Sequence, residues 1–284
     1  MSCSRLHRGF SRLGLSVAAT LLLLAFTPVA HADTPGEIAR AILGHSPRGL
    51  ARTIVQRGYM RVANDSNYPP FSSIDPSTKK IVGFDVDVAR AVGDILGLGV
   101  HFRHPAWEWV PRGLVSARYF EVSIGGMKNT WQRRQTLAFT SAYYHLAAQV
   151  LIRKGGPQVT GPESLQGRRV AATRSTYLRY LRNHTEARPV ECATYMDALS
   201  ALVHRRVPMW LLSGVFARRL AADDARLELT GPPLFWDRCA VAVRKGEPDL
   251  VALLDHAVRE LQRRGDIQVF IERWFGTGEQ GIRP

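Results

Sequence analysis

The sequence predicts an α/β fold built as two lobes facing a cleft. Apolar strand patterns alternate with helical ones through most of the chain beyond residue 32. Two such series of similar size follow one another, joined through extended strands. The segments at the carboxyl ends of the strands are the richest in aromatic, basic and hydroxyl side chains, and open α/β sheets bind their ligands at those ends.

Residues 1–32 read as an export signal. Arg5, Arg8 and Arg12 form a basic start, Leu13 to Phe26 an apolar run, and Ala30-His31-Ala32 a small-x-small cleavage site. The run is too short and too early to be a membrane span. Cys3 precedes it, which argues against a lipid anchor at the cleavage site. A mature chain starting near Asp33 in a bacterial periplasm is the expectation.

Tyr59 to Ala63 is the first strand, followed by the aromatic and proline-rich loop Asp65 to Phe71 and a turn at Asp75-Pro76-Ser77. From Phe84, the apolar positions Phe84, Val88, Ala91, Val92 and Ile95 keep helical spacing. Asp85 and Asp87 suit the positive end of that helix, and Gly97 and Gly99 end it. Val100 to Arg103 is a strand, Pro105 to Trp109 an aromatic loop, Val122 to Ile124 a short strand, and Gln149 to Arg153 a strand broken by Gly155-Gly156-Pro157. The second series has strands at Arg169 to Thr173, Val190 to Cys192 and Met209 to Leu212. Its helices fall at Tyr177 to Asn183, Met196 to His204 and Val215 to Ala222. Cys239 to Val243 is a further strand. Asp249 to Arg264 is amphipathic, with Leu250, Leu253, Leu254, Ala257, Val258 and Leu261 on one face, and a short helix from Ile267 to Phe275 closes the pattern.

The 284 residues carry a net charge of +14, of which about +11 remains without the three arginines of the export signal. These charges are spread along the chain and not gathered in a stripe. With export, that argues against nucleic-acid binding and for attraction to anionic solutes or an anionic membrane face. Cys192 and Cys239 either form a disulfide or, the reading preferred here, are small buried residues at strand ends. The nine histidines show no metal-ligand spacing, and neither a phosphate-cradling loop nor a nucleophile elbow occurs, so neither metal nor cofactor is expected.

The most telling stretch is Gly125-Gly126-Met127-Lys128-Asn129-Thr130-Trp131-Gln132-Arg133-Arg134. It predicts a helix capped by Thr130 with two arginines in its first turn. A helix N-terminus already carries about half a positive charge, so cations there are mildly unfavourable unless an anion binds in front of them. Backbone N–H groups, Lys128 and the Arg133 fork would then converge on a carboxylate.

Two runs carry a family resemblance. Arg61 to Phe71 (RVANDSNYPPF) with Val82 to Ala89 (VGFDVDVA), and Gly125 to Arg133 (GGMKNTWQR) with Phe139 to Tyr144 (FTSAYY), resemble the successive landmarks of polar amino-acid-binding proteins of ABC transporters, extracellular solute-binding protein family 3. The match extends from about Gln56 to Gly276. It implies the two-lobed periplasmic binding protein fold (type II) with two hinge strands, crossing near Tyr144 and near Asp237 to Ala240. One lobe would be residues 52–143 with 239–276, the other 144–238. It implies a monomer that hands a small carboxylate or amino acid to an inner-membrane ABC permease, without catalysis. It also implies roles. Arg133 grips the solute's α-carboxylate, and Gly126 and Lys128 sit where a backbone N–H and a hydroxyl serve the same group. Asp65 and Tyr68 meet the solute side chain, Trp107 forms an aromatic wall with Phe71 beside it, and Thr176 closes from the second lobe.

The departures shift the expected ligand. Ser213 stands where the family has an aspartate for the α-ammonium, Lys128 replaces a small hydroxyl, and Arg174 adds a third cation. Pro208 and Glu121 also replace customary aspartates. More positive and less negative charge favours a dicarboxylate, an acidic amino acid or a carboxylate lacking an amine. The alternative is a periplasmic cyclohexadienyl (arogenate or prephenate) dehydratase, which shares this fold. That chemistry needs a general acid to protonate the leaving hydroxyl, and the run Arg174-Ser175-Thr176-Tyr177 offers no carboxylate.

Overall fold

The structure, a computed structural model, describes residues 33–173, 176–276 and 281. The predicted export signal and Arg174 lie outside the described residues. The first lobe opens with α1 (Pro35–Leu43) and α2 (Gly49–Arg57), which the strand-and-helix reading does not place. Thr34 and Glu37 cap α1 reciprocally, and Pro35 occupies its first position. Ala39, Ala51 and Ile54 join the main core, so this lobe begins well before residue 52.

Next come β1 (Tyr59–Ala63) and a small antiparallel sheet of β2 (Asn67–Tyr68), β3 (Ser72–Ile74) and β4 (Ile81–Val82). Helix α3 (Phe84–Leu96) follows Gly83, whose φ is 140° and whose missing Cβ would lie 2.3 Å from the Phe71 carbonyl oxygen. Only glycine fits there. After β5 (Gly99–Arg103), Trp107–Trp109 form a 3₁₀ turn leading into α4 (Val110–Ser116), an unpredicted helix, and then β6 (Val122–Ser123).

The long β7 (Leu137–Arg153) carries the chain into the second lobe. There β8 (Arg169–Thr173), α5 (Thr176–His184), β9 (Arg188–Cys192), α6 (Tyr195–Val203), β10 (Met209–Ser213) and α7 (Gly214–Asp223) alternate. β11 (Leu227–Arg244) returns to the first lobe, where α8 (Pro248–Arg264) and α9 (Asp266–Phe275) complete it.

The strands run in the order β5-β1-β6-β11-β7-β10-β8-β9. β1 is parallel to β5 and β6, and β8 is parallel to β9 and β10. Between these sets β7 and β11 pair antiparallel, with Leu137 opposite Arg244, Tyr144 opposite Cys239 and Arg153 opposite Leu227. At 17 and 18 residues they are about three times the usual strand length. Their pairing is irregular at Cys239, Ala240 and Ala242, between the stretch of β11 that pairs with β6 and the stretch of β7 that pairs with β10. This is the two-lobed α/β periplasmic binding protein fold, with the long strands as its hinges.

Each lobe has its own core. The apolar face of α8 is buried throughout, and Leu250, Leu253, Leu254 and Leu261 pack with Ile54, Val92 and Ile271. Each such side chain contributes about 1.5–3 kcal/mol. In the second lobe Tyr177, Leu178 and Leu181 of α5 cover one sheet face, while Ala198, Leu202 and Ala217 cover the other. Cys192 ends β9, whereas Cys239 lies inside β11, not at a strand end; both thiols are free and buried.

Candidate functional site

A cavity of about 560 Å³ is lined by the loops after β1, β5 and β6 on one side and by α5 and Tyr195 on the other. That volume suits a small solute. Its wall is aromatic (Tyr68, Trp107, Tyr177, Tyr195) and cationic (Lys128, Arg133, Arg179), with Asp65 the acid that lines it.

Arg133 does not sit in a helix. The predicted helix is a single 3₁₀ turn, Arg133–Gln135, because β7 begins at Leu137 and leaves no room for more. Thr130 Oγ1 still accepts the Arg133 N–H, at 3.4 Å. No helix dipole acts from this segment, so its own attraction for an anion rests on the Arg133 side chain. The Arg133 guanidinium is half-buried, donates from Nη1 to the Lys128 carbonyl at 2.9 Å and lies 5.4 Å from the Trp107 ring centroid. Among the described residues no carboxylate pairs with it, and burial pulls its pKa down although it stays charged.

Lys128, by contrast, is neutralised. Its backbone is strapped to the hinge: Asn129 N–H donates to the Arg238 carbonyl at 2.8 Å and Ala240 N–H to that of Met127 at 3.1 Å. From there Nζ meets Asp237 Oδ2 at 2.5 Å, donates to Thr176 Oγ1 at 2.8 Å and lies 4.1 Å from the Tyr177 ring centroid. Thr176 Oγ1 in turn donates to Asp237 Oδ2 at 2.7 Å. Three segments from both lobes and the hinge thus meet on one ammonium.

Gly126 lies on the cavity wall at φ 63°, and a Cβ there would meet Tyr68 at 3.3 Å, so the position requires glycine. Its N–H donates to Tyr143 Oη at 3.0 Å, so in this state it is not free for a solute, contrary to expectation. Tyr143 donates to Asp85 Oδ1 at 2.7 Å. Burial pushes the Asp85 pKa up to about 7, with the Tyr143 and Gly126 hydrogen bonds opposing. Asp85 is therefore more than a helix-end acid: it sits wholly buried behind the cavity wall.

Of the residues expected at the site, Asp65, Tyr68, Trp107, Gly126, Lys128, Arg133 and Thr176 line the cavity. Phe71 does not. It is fully buried, 4.8 Å behind Tyr68, in a cluster with Phe84, Tyr144 and Phe275. Ser213 is also buried, and its hydroxyl accepts the Phe216 N–H at the start of α7. Arg174 lies outside the described residues. The second-lobe cation on the wall is Arg179, three residues after Thr176 and so on the same face of α5. Its Nη1 donates to Gln132 Oε1 at 3.3 Å. That spacing is legible in the sequence once α5 is known to start at Thr176. Asp237 had no such signal, because nothing local shows that it faces Lys128.

The chain matches the bacterial extracellular solute-binding proteins, family 3, over residues 60–277. The chain belongs to this family. Among relatives, this family member is 28% identical over 245 residues to the L-cystine-binding protein TcyJ of Escherichia coli K12, covering 84% of this chain and 90% of that protein. It is 27% identical over 222 residues to ABC transporter arginine-binding protein 1 of the same organism, covering 74% and 88%. Of solved structures, a mutant of ArgBP from T. maritima superposes with a TM-score of 0.63 at 28% identity, covering 78% of this chain and 97% of that one. An ancestral amino acid-binding protein described as a precursor of cyclohexadienyl dehydratase gives 0.64 at 23% identity, covering 78% and 97%, a likeness of fold alone. Proteins of this family bind solutes for ABC transporters outside the cytoplasm.

Proposed function

We propose that this protein captures a small carboxylate-bearing solute between its lobes, in the periplasm, and presents it to the permease of an ABC transporter. The observation that carries the reading is the Arg133 guanidinium on the cavity wall, half-buried, braced by Trp107 and, among the described residues, without a carboxylate partner. A bound carboxylate would supply the missing counter-charge as a bidentate pair. Tyr68, Trp107 and Tyr195 would pack its carbon frame. Contacts from α5 would shift the population toward the closed form.

The relatives named for arginine and cystine suggest an amino acid. The cations Arg133 and Arg179, with Lys128 already paired to Asp237, argue against a cationic side chain and for an acid. Binding without chemistry fits best, because Asp65, the acid on the wall, is held as a turn-forming acceptor for the Asn67 N–H at 3.1 Å. A thermal-shift screen of amino acids, dicarboxylates and keto acids tests the reading, since a ligand that binds only the native state raises its stability. A panel in which no carboxylate raises Tm would overturn it.

A further inference from the structure

Building on that reading, we infer that Lys128 is a built-in ammonium. It occupies the carboxylate, hydroxyl and aromatic face with which this cleft could hold an ammonium, while Ser213 leaves the family's usual ammonium position without its acid, so that the protein selects carboxylates without an α-amine over the matching α-amino acids.

The argument starts from what an ammonium needs when it leaves water. Three N–H donors want a carboxylate, further acceptors and, where one is offered, an aromatic face. Within this cleft that set exists once among the described residues. Asp237 gives the carboxylate at 2.5 Å, Thr176 the hydroxyl at 2.8 Å and Tyr177 the ring at 4.1 Å. All three are turned toward the chain's own Lys128, whose side chain is 17% exposed. The Asp237 side chain beneath it is 11% exposed. A solute ammonium would have to displace Lys128 from a nearly buried ion pair and leave its charge unpaired, which is strongly unfavourable. It would also bring a second positive charge beside Arg133.

The other acids near the cleft do not supply a substitute. Asp85 is fully buried and held by Tyr143. Asp65 is engaged in its own turn, accepting the Asn67 N–H at 3.1 Å. Ser213 is buried and occupied in capping α7. Selection thus has an attractive part, Arg133, and a repulsive one, Lys128.

Matched pairs test it: α-ketoglutarate and L-glutamate, oxaloacetate and L-aspartate, phenylpyruvate and L-phenylalanine, each titrated calorimetrically into the wild-type protein and into Lys128→Ser. In the wild type the keto acid of at least one pair binds at least about tenfold more tightly than its amino acid. In Lys128→Ser, with Asp237, Thr176 and Tyr177 uncovered, that amino acid gains at least about tenfold while its keto acid does not. Lys128→Gln, which keeps much of the stem without the charge, repeats the measurement if the serine variant is not folded by circular dichroism. An amino acid binding the wild type as tightly as its keto acid, or a ratio unmoved in both variants, overturns the inference. Failure of every member of every pair to bind the wild type overturns the carboxylate reading itself.

Discussion

Tyr143 donates its hydroxyl hydrogen to the fully buried Asp85 carboxylate at 2.7 Å while accepting the Gly126 N–H at 3.0 Å. Among the described residues the Asp85 Oδ2 atom has no hydrogen-bond partner. A buried carboxylate so sparsely supported favours its neutral form, hence the pKa raised from 3.8 to about 7. Below the unfolded value both states hold the proton and nothing is lost. As pH rises toward about 7 the unfolded chain gives up its proton and the folded one does not, so stability falls across that window. Asp85→Asn cannot titrate. Its stability relative to wild type should rise by on the order of 4 kcal/mol between about pH 4 and about pH 8, from a shift of about three units. Urea unfolding of both proteins across that range checks it. A constant difference would show that Asp85 is ionised throughout.

Glu121 behaves in the opposite sense. Burial pushes its pKa up, but the hydrogen bonds from Arg61 and Arg57 outweigh burial and hold the carboxyl below its ordinary value. Arg57 donates to both its oxygens at 3.1 Å, and Arg61 Nε donates at 2.8 Å. The stability this cluster contributes is present above the ordinary glutamate pKa and lost as pH falls through the folded value. Glu121→Ala should cost about 3–5 kcal/mol at neutral pH, as when one partner of a buried pair is removed. It should leave solute affinity unchanged, because Glu121 precedes β6 and so lies at the end of that strand opposite the Gly125-Gly126 loop on the cavity wall. Denaturation and calorimetry on the one variant separate these two effects.

Much of the fold was legible because its signals are local. The strand Arg169–Thr173 is a short run between Gly167 and the start of α5, and the α8 stripe repeats at helical spacing, so both needed only neighbouring residues. The extent of the hinges was not legible. β11 contains Gly231-Pro232-Pro233, a run that argues against a strand, and the structure accommodates it at a register break between Thr230 and Phe235. Helix α1 was missed despite its capping box, since nine residues give little periodicity. Within the candidate site, a charge at Lys128 could be read but its neutralisation could not. Asp237 reaches it only because β11 crosses between the lobes. Phe71 lies behind the cavity wall for a related reason: an aromatic loop residue can turn inward, and this one does.

Arg133→Ala should leave the fold intact and weaken binding of the captured carboxylate by about 2–5 kcal/mol, the usual loss when one member of a desolvated charged pair is removed. What the fold loses is small: one hydrogen bond to the Lys128 carbonyl and the contact with Trp107. Arg133→Lys should recover only part of the affinity, because an ammonium cannot make the parallel two-point contact of a guanidinium. Calorimetry decides the matter. Unchanged affinity in the alanine variant would remove Arg133 from the site.

Arg179 differs from Arg133 in exposure, and its effect should differ in kind. It stands exposed on α5 at the cavity, tied among the described residues to Gln132, where water and salt screen it. Arg179→Ala should therefore weaken a dicarboxylate by only about two- to fivefold, in line with exposed charge pairs, and a monocarboxylate hardly at all. Raising the ionic strength should shrink the difference between wild type and variant, whereas the loss caused by Arg133→Ala should persist, since a half-buried pair is screened less. Titrating succinate and acetate at low and high salt distinguishes the two arginines. Equal losses for both anions at every salt concentration would mean that Arg179 acts through lobe closure by way of Gln132 and not through charge on the solute.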